Sequence, residues 1–137
     1  MAEADPSLAP AFGAIAAEAF GLPPELAAWF AALPGRPGWS CLVALDGEEP
    51  VAAGALYAAG GAGWLALGAT RPMHRGRGAQ PALIAARIRR AADLGCRLVV
   101  AETGAAGPDG PGPSYRNILD AGFTEAWDRP NLRSPDP

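Results

Sequence analysis

Helix-spaced and strand-like apolar runs follow one another in blocks along this chain. Across residues 11–20, Phe12, Ile15, Ala16, Ala19 and Phe20 fall at helical spacing, and Gly21 ends the run. Pro23 and Pro24 open a second helix over Glu25 to Leu33, with Leu26, Trp29, Phe30 and Leu33 on its apolar side. Pro34-Gly35-Arg36-Pro37-Gly38 breaks it. Two strand-like runs come next, Trp39–Leu45 and Val51–Ala58, and the Asp46-Gly47 between them marks a hairpin. Gly60-Gly61-Ala62-Gly63 turns the chain into a third run, Trp64–Thr70, which completes an antiparallel meander.

The spacing then becomes helical again. Leu83, Ile84, Ile88, Ala91 and Leu94 line one side of a helix from Gly78 to Leu94, with Arg89 and Asp93 as an outward pair. Gly95 stops that helix, and Arg97–Glu102 is a short apolar strand ending in an acid. A helical crossover joins it to Trp64–Thr70, so these two strands are expected to be parallel neighbours. The Gly/Pro-rich connector from Gly104 to Pro113 leads to a last helix, capped by Ser114 and stopped by Gly122. Phe123–Trp127 reads as a further strand, and Trp39, Trp64 and Trp127 read as core. The expected class is α/β of the α+β type. A mixed sheet, an antiparallel meander and then a βαβ crossover, carries helices on both faces within one domain over residues 1–137.

Composition narrows the class of protein. The 137 residues suit one domain of ~100–200 residues, and an apolar half excludes wholesale disorder. No apolar run approaches the roughly 20 residues of a spanning helix, so no membrane role is expected. Met1-Ala2-Glu3-Ala4-Asp5-Pro6 has acids where a secretory signal has basic residues, which predicts a cytoplasmic protein. Cys41 and Cys96 are too few for a disulfide scaffold and read as small buried hydrophobes. One histidine beside them leaves no expected metal site. All 11 basic residues are Arg, and Ala, Gly and Pro are abundant, which points to a GC-rich genome. Counts of Gly and Arg therefore mean little, and placement carries the information. Residues 71–92 hold six arginines and no acid, a local +6, so the rest of the chain is −9 against an overall −3. With a pI near 5.0, this pattern suits a local anionic ligand and excludes a general nucleic-acid binder.

The chemistry concentrates in Arg75-Gly76-Arg77-Gly78-Ala79-Gln80, between a strand and the long helix. Glycines at a helix N-terminus admit a ligand close to the backbone, and the first amides there have no intrahelical partner. The helix dipole favours negative charge, and the two arginines add bidentate donors. A Walker loop is excluded because the chain has no Lys. The dinucleotide fingerprint fails at Pro81, and the loop follows a meander where that fingerprint opens a βαβ unit.

The segment resembles the pyrophosphate motif of the GNAT superfamily of acyl-CoA-dependent N-acyltransferases. That motif runs Arg/Gln-x-x-Gly-x-Gly/Ala with a Pro three residues ahead. Pro72, Arg75 and Gly78 match it in register, and Gln80 stands where the family has Gly or Ala. The order of elements resembles the family over essentially the whole chain. The resemblance implies an N-acetyltransferase that moves acetyl from acetyl-CoA to a primary amine of a small molecule or a protein. It implies backbone contacts from Gly68, Ala69 and Thr70 to the pantetheine arm. It also implies a pyrophosphate held by Arg75, Gly76, Arg77, Gly78, Ala79 and Gln80, with Gln80 as a further donor to phosphate. Arg87, Arg89 and Arg90 are either a solvated helix face or contacts to the 3′-phosphate.

Catalytic groups match the family less fully. The tyrosine acid common four residues before the final Gly-Phe corresponds to Ile118, so Tyr115, about one turn earlier, is the candidate acid. Leu65 and Leu67 leave the strand before the motif without an acid. Glu102 is the candidate base, or else a structural hydrogen-bond acceptor for a loop. Thr103 and Asn117 are candidate polar contacts, and His74 is expected in an exposed turn without a catalytic role. These departures leave a second reading open, a CoA-binding sensor or scaffold with little or no turnover. The family's first strand is expected to be missing, because Pro6 and Pro10 interrupt the segment before the first helix. The exposed sheet edge would then call for a homodimer partner or for more of a longer chain.

Overall fold

The structure is a computed structural model describing residues 1–135. Its five strands lie in one sheet in chain order: β1 (Ala2–Glu3), β2 (Trp39–Asp46), β3 (Glu49–Ala59), β4 (Ala62–Thr70) and β5 (Leu98–Ala101). The first four pair antiparallel, and β5 joins β4 in parallel, as the crossover requires. The helices are α1 (Ala9–Ala19), α2 (Ala27–Ala31), α3 (Ala79–Asp93) and α4 (Pro113–Asp120). A single 3₁₀ turn, Pro24–Leu26, precedes α2 and takes up part of the expected second helix. Trp29 on α2 is 73% exposed, whereas Phe30 and Leu33 pack on the core.

Alternation along β2 and β3 sorts residues into two cores. Cys41, Val43, Ala53 and Ala55 face α1, which buries Phe12 and Ile15 completely against them. Ala44, Ala52 and Leu56 face α3, which answers with Leu83 and Ile84. β3 is covered on both faces, which explains its nearly unbroken small apolar run. Full burial of a side chain of this size stabilises the fold by about 1.5–3 kcal/mol. β4 departs from simple alternation. Ala55 pairs with Leu67 but Leu56 pairs with Leu65, so Ala66 bulges out. The extra residue sends Leu65 to the α3 core and Leu67 to the α1 core, where unbroken pleating would put both on one face.

Three expectations are corrected. The first strand is present, though only two residues long: Ala2 lies opposite Val43, Glu3 opposite Leu42, and the Ala4 amide donates to Cys41 O at 2.8 Å. Its prolines do not interfere, because Pro6 lies beyond the strand and Pro10 sits in the first turn of α1, where its missing N–H costs nothing. Asp5 turns the chain between β1 and α1. The Ser7 hydroxyl and amide and the Leu8 amide donate to its carboxylate and hold it below the usual carboxylate range. Second, Phe123–Trp127 forms no strand. The Phe123 amide closes α4 on Ile118 O instead of entering a ladder, and Trp127 is 82% exposed instead of core. Third, α4 starts two residues earlier than expected, with Gly112 as its cap, Pro113 pre-set in the first turn and Ser114 inside the helix.

Candidate active site

The last pair between β4 and β5 is Leu65 with Ala101, and β4 runs on to Thr70 without β5 beside it. The parted strands open a cleft of about 290 Å³. Gln80, Ile84 and Arg87 of α3 form one wall, and Ser114 and Ile118 of α4 form another. Glu102 and Thr103, just past the end of β5, stand at its rim. A second hollow of about 340 Å³, between Trp39, Arg90 and Cys96, contains no residue of the Arg75–Gln80 loop.

That loop sits where β4 hands over to α3. Arg71 fixes the exit from β4, pairing with Glu18 and donating from Nε to Pro50 O at 3.0 Å. A 3₁₀ turn over Pro72–His74 then lifts the chain into the loop. Gly76 (φ +76°) and Gly78 (φ +81°) are both left-handed, a conformation that costs glycine little and other residues more. Gly78 caps α3 with no side-chain bond. A Cβ at either glycine would meet nothing within 4 Å, so the space above the backbone is open to a ligand. The amides of Gly76, Arg77, Gly78, Ala79 and Gln80 find no backbone acceptor among the described residues. Open donors at a helix start, facing open space and continuous with a cleft, fit the pyrophosphate and arm of a CoA thioester. Arg75 makes only a 3.5 Å contact with Ala19 O, and Arg77 only an exposed 3.4 Å pair with Asp46, so both are available to an anion.

The Gln80 side chain is engaged within the fold, while its amide stays among the open donors. Its Nε2 donates to Ala69 O and to Thr70 Oγ1, both at 3.0 Å, and so ties the start of α3 to the end of β4. Gly68 leaves the room, since a Cβ there would stand 2.7 Å from Gln80 Oε1. The departure from the family's small residue therefore has a local partner in Gly68.

Arg87 is neither a solvated side chain nor placed for a 3′-phosphate. It is 2% exposed, donating from Nε to Leu83 O at 3.1 Å and from Nη1 to Ala55 O at 3.1 Å and Leu67 O at 2.6 Å. It lies on the inward stripe of α3 with Leu83, Ile84 and Ala91, and the cross-strand pair Gly54–Gly68 hollows the sheet beneath it. Burial pushes its pKa down to about 10, which leaves it a cation at neutral pH. Arg89 is exposed, and Arg90 reaches Ser40 Oγ at 3.2 Å. The helical stripe was the available signal for Arg87. Nothing in the sequence singled out Ser114 as a cleft residue.

Of the catalytic candidates, Glu102 is in the cleft. Its side chain is 57% exposed and lies 2.5 Å from Arg129 Nη2. Thr103 is beside it. Ile118 occupies the α4 wall, while Tyr115 and Asn117 are half-buried and lie outside the lining. His74 is half-buried instead of exposed. Its Nε2 is 3.9 Å from Glu49, its Nδ1 is buried without a partner, and it does not line the cleft.

Comparison with known proteins bears directly on this geometry. The model of the acetyltransferase (GNAT) family matches residues 9–108, from α1 through the loop and β5. The chain belongs to the GNAT family. It is accordingly an acetyltransferase with acetyl-CoA as co-substrate. Solved structures share the GNAT fold. One is AAC(6′)-Iy in complex with the bisubstrate analog CoA-S-monomethyl-acetylneamine, with TM-score 0.78, 16% identity, and 98% of this chain and 96% of that chain covered. Another is an aminoglycoside acetyltransferase from an uncultured soil metagenomic sample, with TM-score 0.77, 19% identity, and 98% and 97% covered. A third is the aminoglycoside 6′-N-acetyltransferase AAC(6′)-IG from Acinetobacter haemolyticus, with TM-score 0.75, 14% identity, and 98% and 97% covered. No curated protein matches the GNAT chain in sequence.

Proposed function

We propose that this GNAT protein is an N-acetyltransferase acting on a primary amine of a small, cationic molecule. The observation that carries the reading is the continuity of the open amide cradle at Gly76–Gln80 with a cleft that has a carboxylate, Glu102, at its rim. In this reading the loop amides, Arg75 and Arg77 hold the pyrophosphate, and the unpaired stretch Gly68–Thr70 of β4 flanks the arm. Glu102 takes the proton that the ammonium must lose before its nitrogen can attack. Arg129 keeps the carboxylate in place until a cationic acceptor competes for it. The aminoglycoside acceptors named for the structural neighbours, and the acidic balance of this chain outside residues 71–92, both support a small polyamine acceptor over a protein.

A second reading has its own observation. Ile118 faces the cleft without a proton to give, which suits a CoA-binding sensor or scaffold. One experiment separates the two. Acetyl-CoA raises the melting temperature under both, and Gly78→Val, strained at its left-handed φ, removes that shift. Only the enzyme releases free CoA thiol faster when a panel of amines, aminoglycosides included, is added. Glu102→Gln should keep the shift and lose most of the turnover, and Tyr115→Phe reports whether that hydroxyl donates. No thermal shift with acetyl-CoA at millimolar concentration refutes the acetyltransferase reading, and a shift with no amine-dependent thiol leaves the sensor.

A further inference from the structure

We infer that Arg87 provides the fixed positive charge against which the leaving thiolate forms, in the place of a proton donor on α4. The inference rests on the acetyl-transfer reading above. Two of the three guanidinium nitrogens are committed, Nε to Leu83 O and Nη1 to Ala55 O and Leu67 O. Nη2 makes no hydrogen bond among the described residues, and it lies beside Gly68, 3.6 Å from where a Cβ would stand. Arg87 and Gly68 both line the cleft, and Nη2 is the guanidinium nitrogen nearest Gly68. No acidic residue among those described forms an ion pair with Arg87. A guanidinium this deeply buried without a carboxylate is costly, and an anion at the free nitrogen would compensate it.

Position decides which anion. The Cα of Arg87 stands eight residues beyond Ala79, about 12 Å of rise down α3, and its side chain folds back one turn to Leu83 O. Nη2 therefore lies against Gly68 of β4, on the stretch that flanks the pantetheine arm, and not among the loop amides. In the transfer step the amine nitrogen bonds to the thioester carbonyl carbon, and the carbon–sulfur bond breaks with its electron pair left on sulfur. Glu102, having passed the ammonium's proton to water before attack, takes the second proton as the nitrogen becomes an amide, and sulfur departs as a thiolate. Ile118 cannot protonate it, the Ser114 and Thr103 hydroxyls are far weaker acids than a thiol, and the other charged side chain in the lining is Glu102, already facing Arg129. A preorganised cation acts on charge that develops beside it without reorganising at the moment of reaction.

The test reads the thiol itself. Bound CoA is titrated by its thiolate absorbance with the full chain, alongside Arg87→Gln and Arg87→Lys. In the wild type the bound thiol should ionise about one pH unit below free CoA, Arg87→Gln should abolish the difference, and Arg87→Lys should keep part of it. Turnover of Arg87→Gln should fall roughly 100-fold in kcat with little change in KM for acetyl-CoA. Because Arg87 also pins two strands, a measurement on the wild type alone accompanies the variants. Its affinity for CoA relative to desulfo-CoA should rise with pH as the thiol ionises. A bound thiol titrating like free CoA, or a pH-independent affinity ratio, overturns the inference while leaving acetyl transfer intact. Failure to bind CoA at all overturns both.

Discussion

Gly54→Ala is the perturbation that measures how tightly the sheet is fitted to Arg87. An added Cβ would stand 2.9 Å from Arg87 Nε, closer than real Cβ atoms come, and 3.0 Å from Cζ and 3.3 Å from Cδ, tighter than most contacts. The backbone at Gly54 is not left-handed, so alanine meets no conformational barrier there. Taken alone, the substitution would stabilise the protein by about 0.4–1 kcal/mol through the unfolded chain. Any loss must therefore come from the guanidinium, which cannot retreat without stretching its bonds to Leu83 O, Ala55 O and Leu67 O. Hydrogen bonds from a charged group are worth about 1.5–3 kcal/mol each. Losing one and weakening the others gives a net cost of about 2–3 kcal/mol. For 137 residues at about 2.1 cal/mol/K per residue of unfolding entropy, the melting temperature drops by roughly 7–10 °C. The assay is a double-mutant cycle by urea or thermal unfolding of wild type, Gly54→Ala, Arg87→Met and the pair. With the guanidinium gone, Gly54→Ala should be neutral or slightly stabilising, a coupling of about 2 kcal/mol or more. An equal cost in both backgrounds would show that Gly54 is not glycine on account of Arg87.

Phe12→Ala removes a fully buried ring between α1 and the sheet and should cost about 3–5 kcal/mol by urea unfolding; a loss under about 1 kcal/mol would mean that α1 is not seated there. Burial, with Glu3 nearby, pushes the Cys41 thiol up to about 11 from 9.0. The folded state therefore holds this proton longer than the unfolded one, so the contribution is whole below about pH 9 and is lost as pH rises towards 11. A thiol reagent at pH 8 should accordingly count one fast cysteine, Cys96, in the native protein and two after denaturation, and Cys41→Ala should flatten the alkaline loss of stability; two fast native thiols would contradict the buried placement.

What is legible in this chain is local, and what is not depends on strand register. The cradle can be read directly because its causes lie within six residues: two left-handed glycines, flanking arginines and a helix start after a strand. The meander, the crossover and Glu102 at the strand end follow from turns and runs that also sit within short windows. β1 escapes because two residues carry no period, and its evidence is a pairing with Val43 and Leu42 some forty positions away. Leu65 and Leu67 look like one face, yet the bulge at Ala66 sends them to opposite cores. Arg87 escapes for the same reason with greater consequence. Helical spacing puts it on the stripe of Leu83, Ile84 and Ala91, but a charged residue there reads as an interruption until something makes room for it. That room comes from Gly54 and Gly68, which are fourteen positions apart and become one hollow only when β3 and β4 pair. In a chain with 18 glycines neither would be singled out by composition. Register turns two ordinary glycines into the seat of a buried cation, and the same register leaves that cation's one free nitrogen beside Gly68 in the cleft lining.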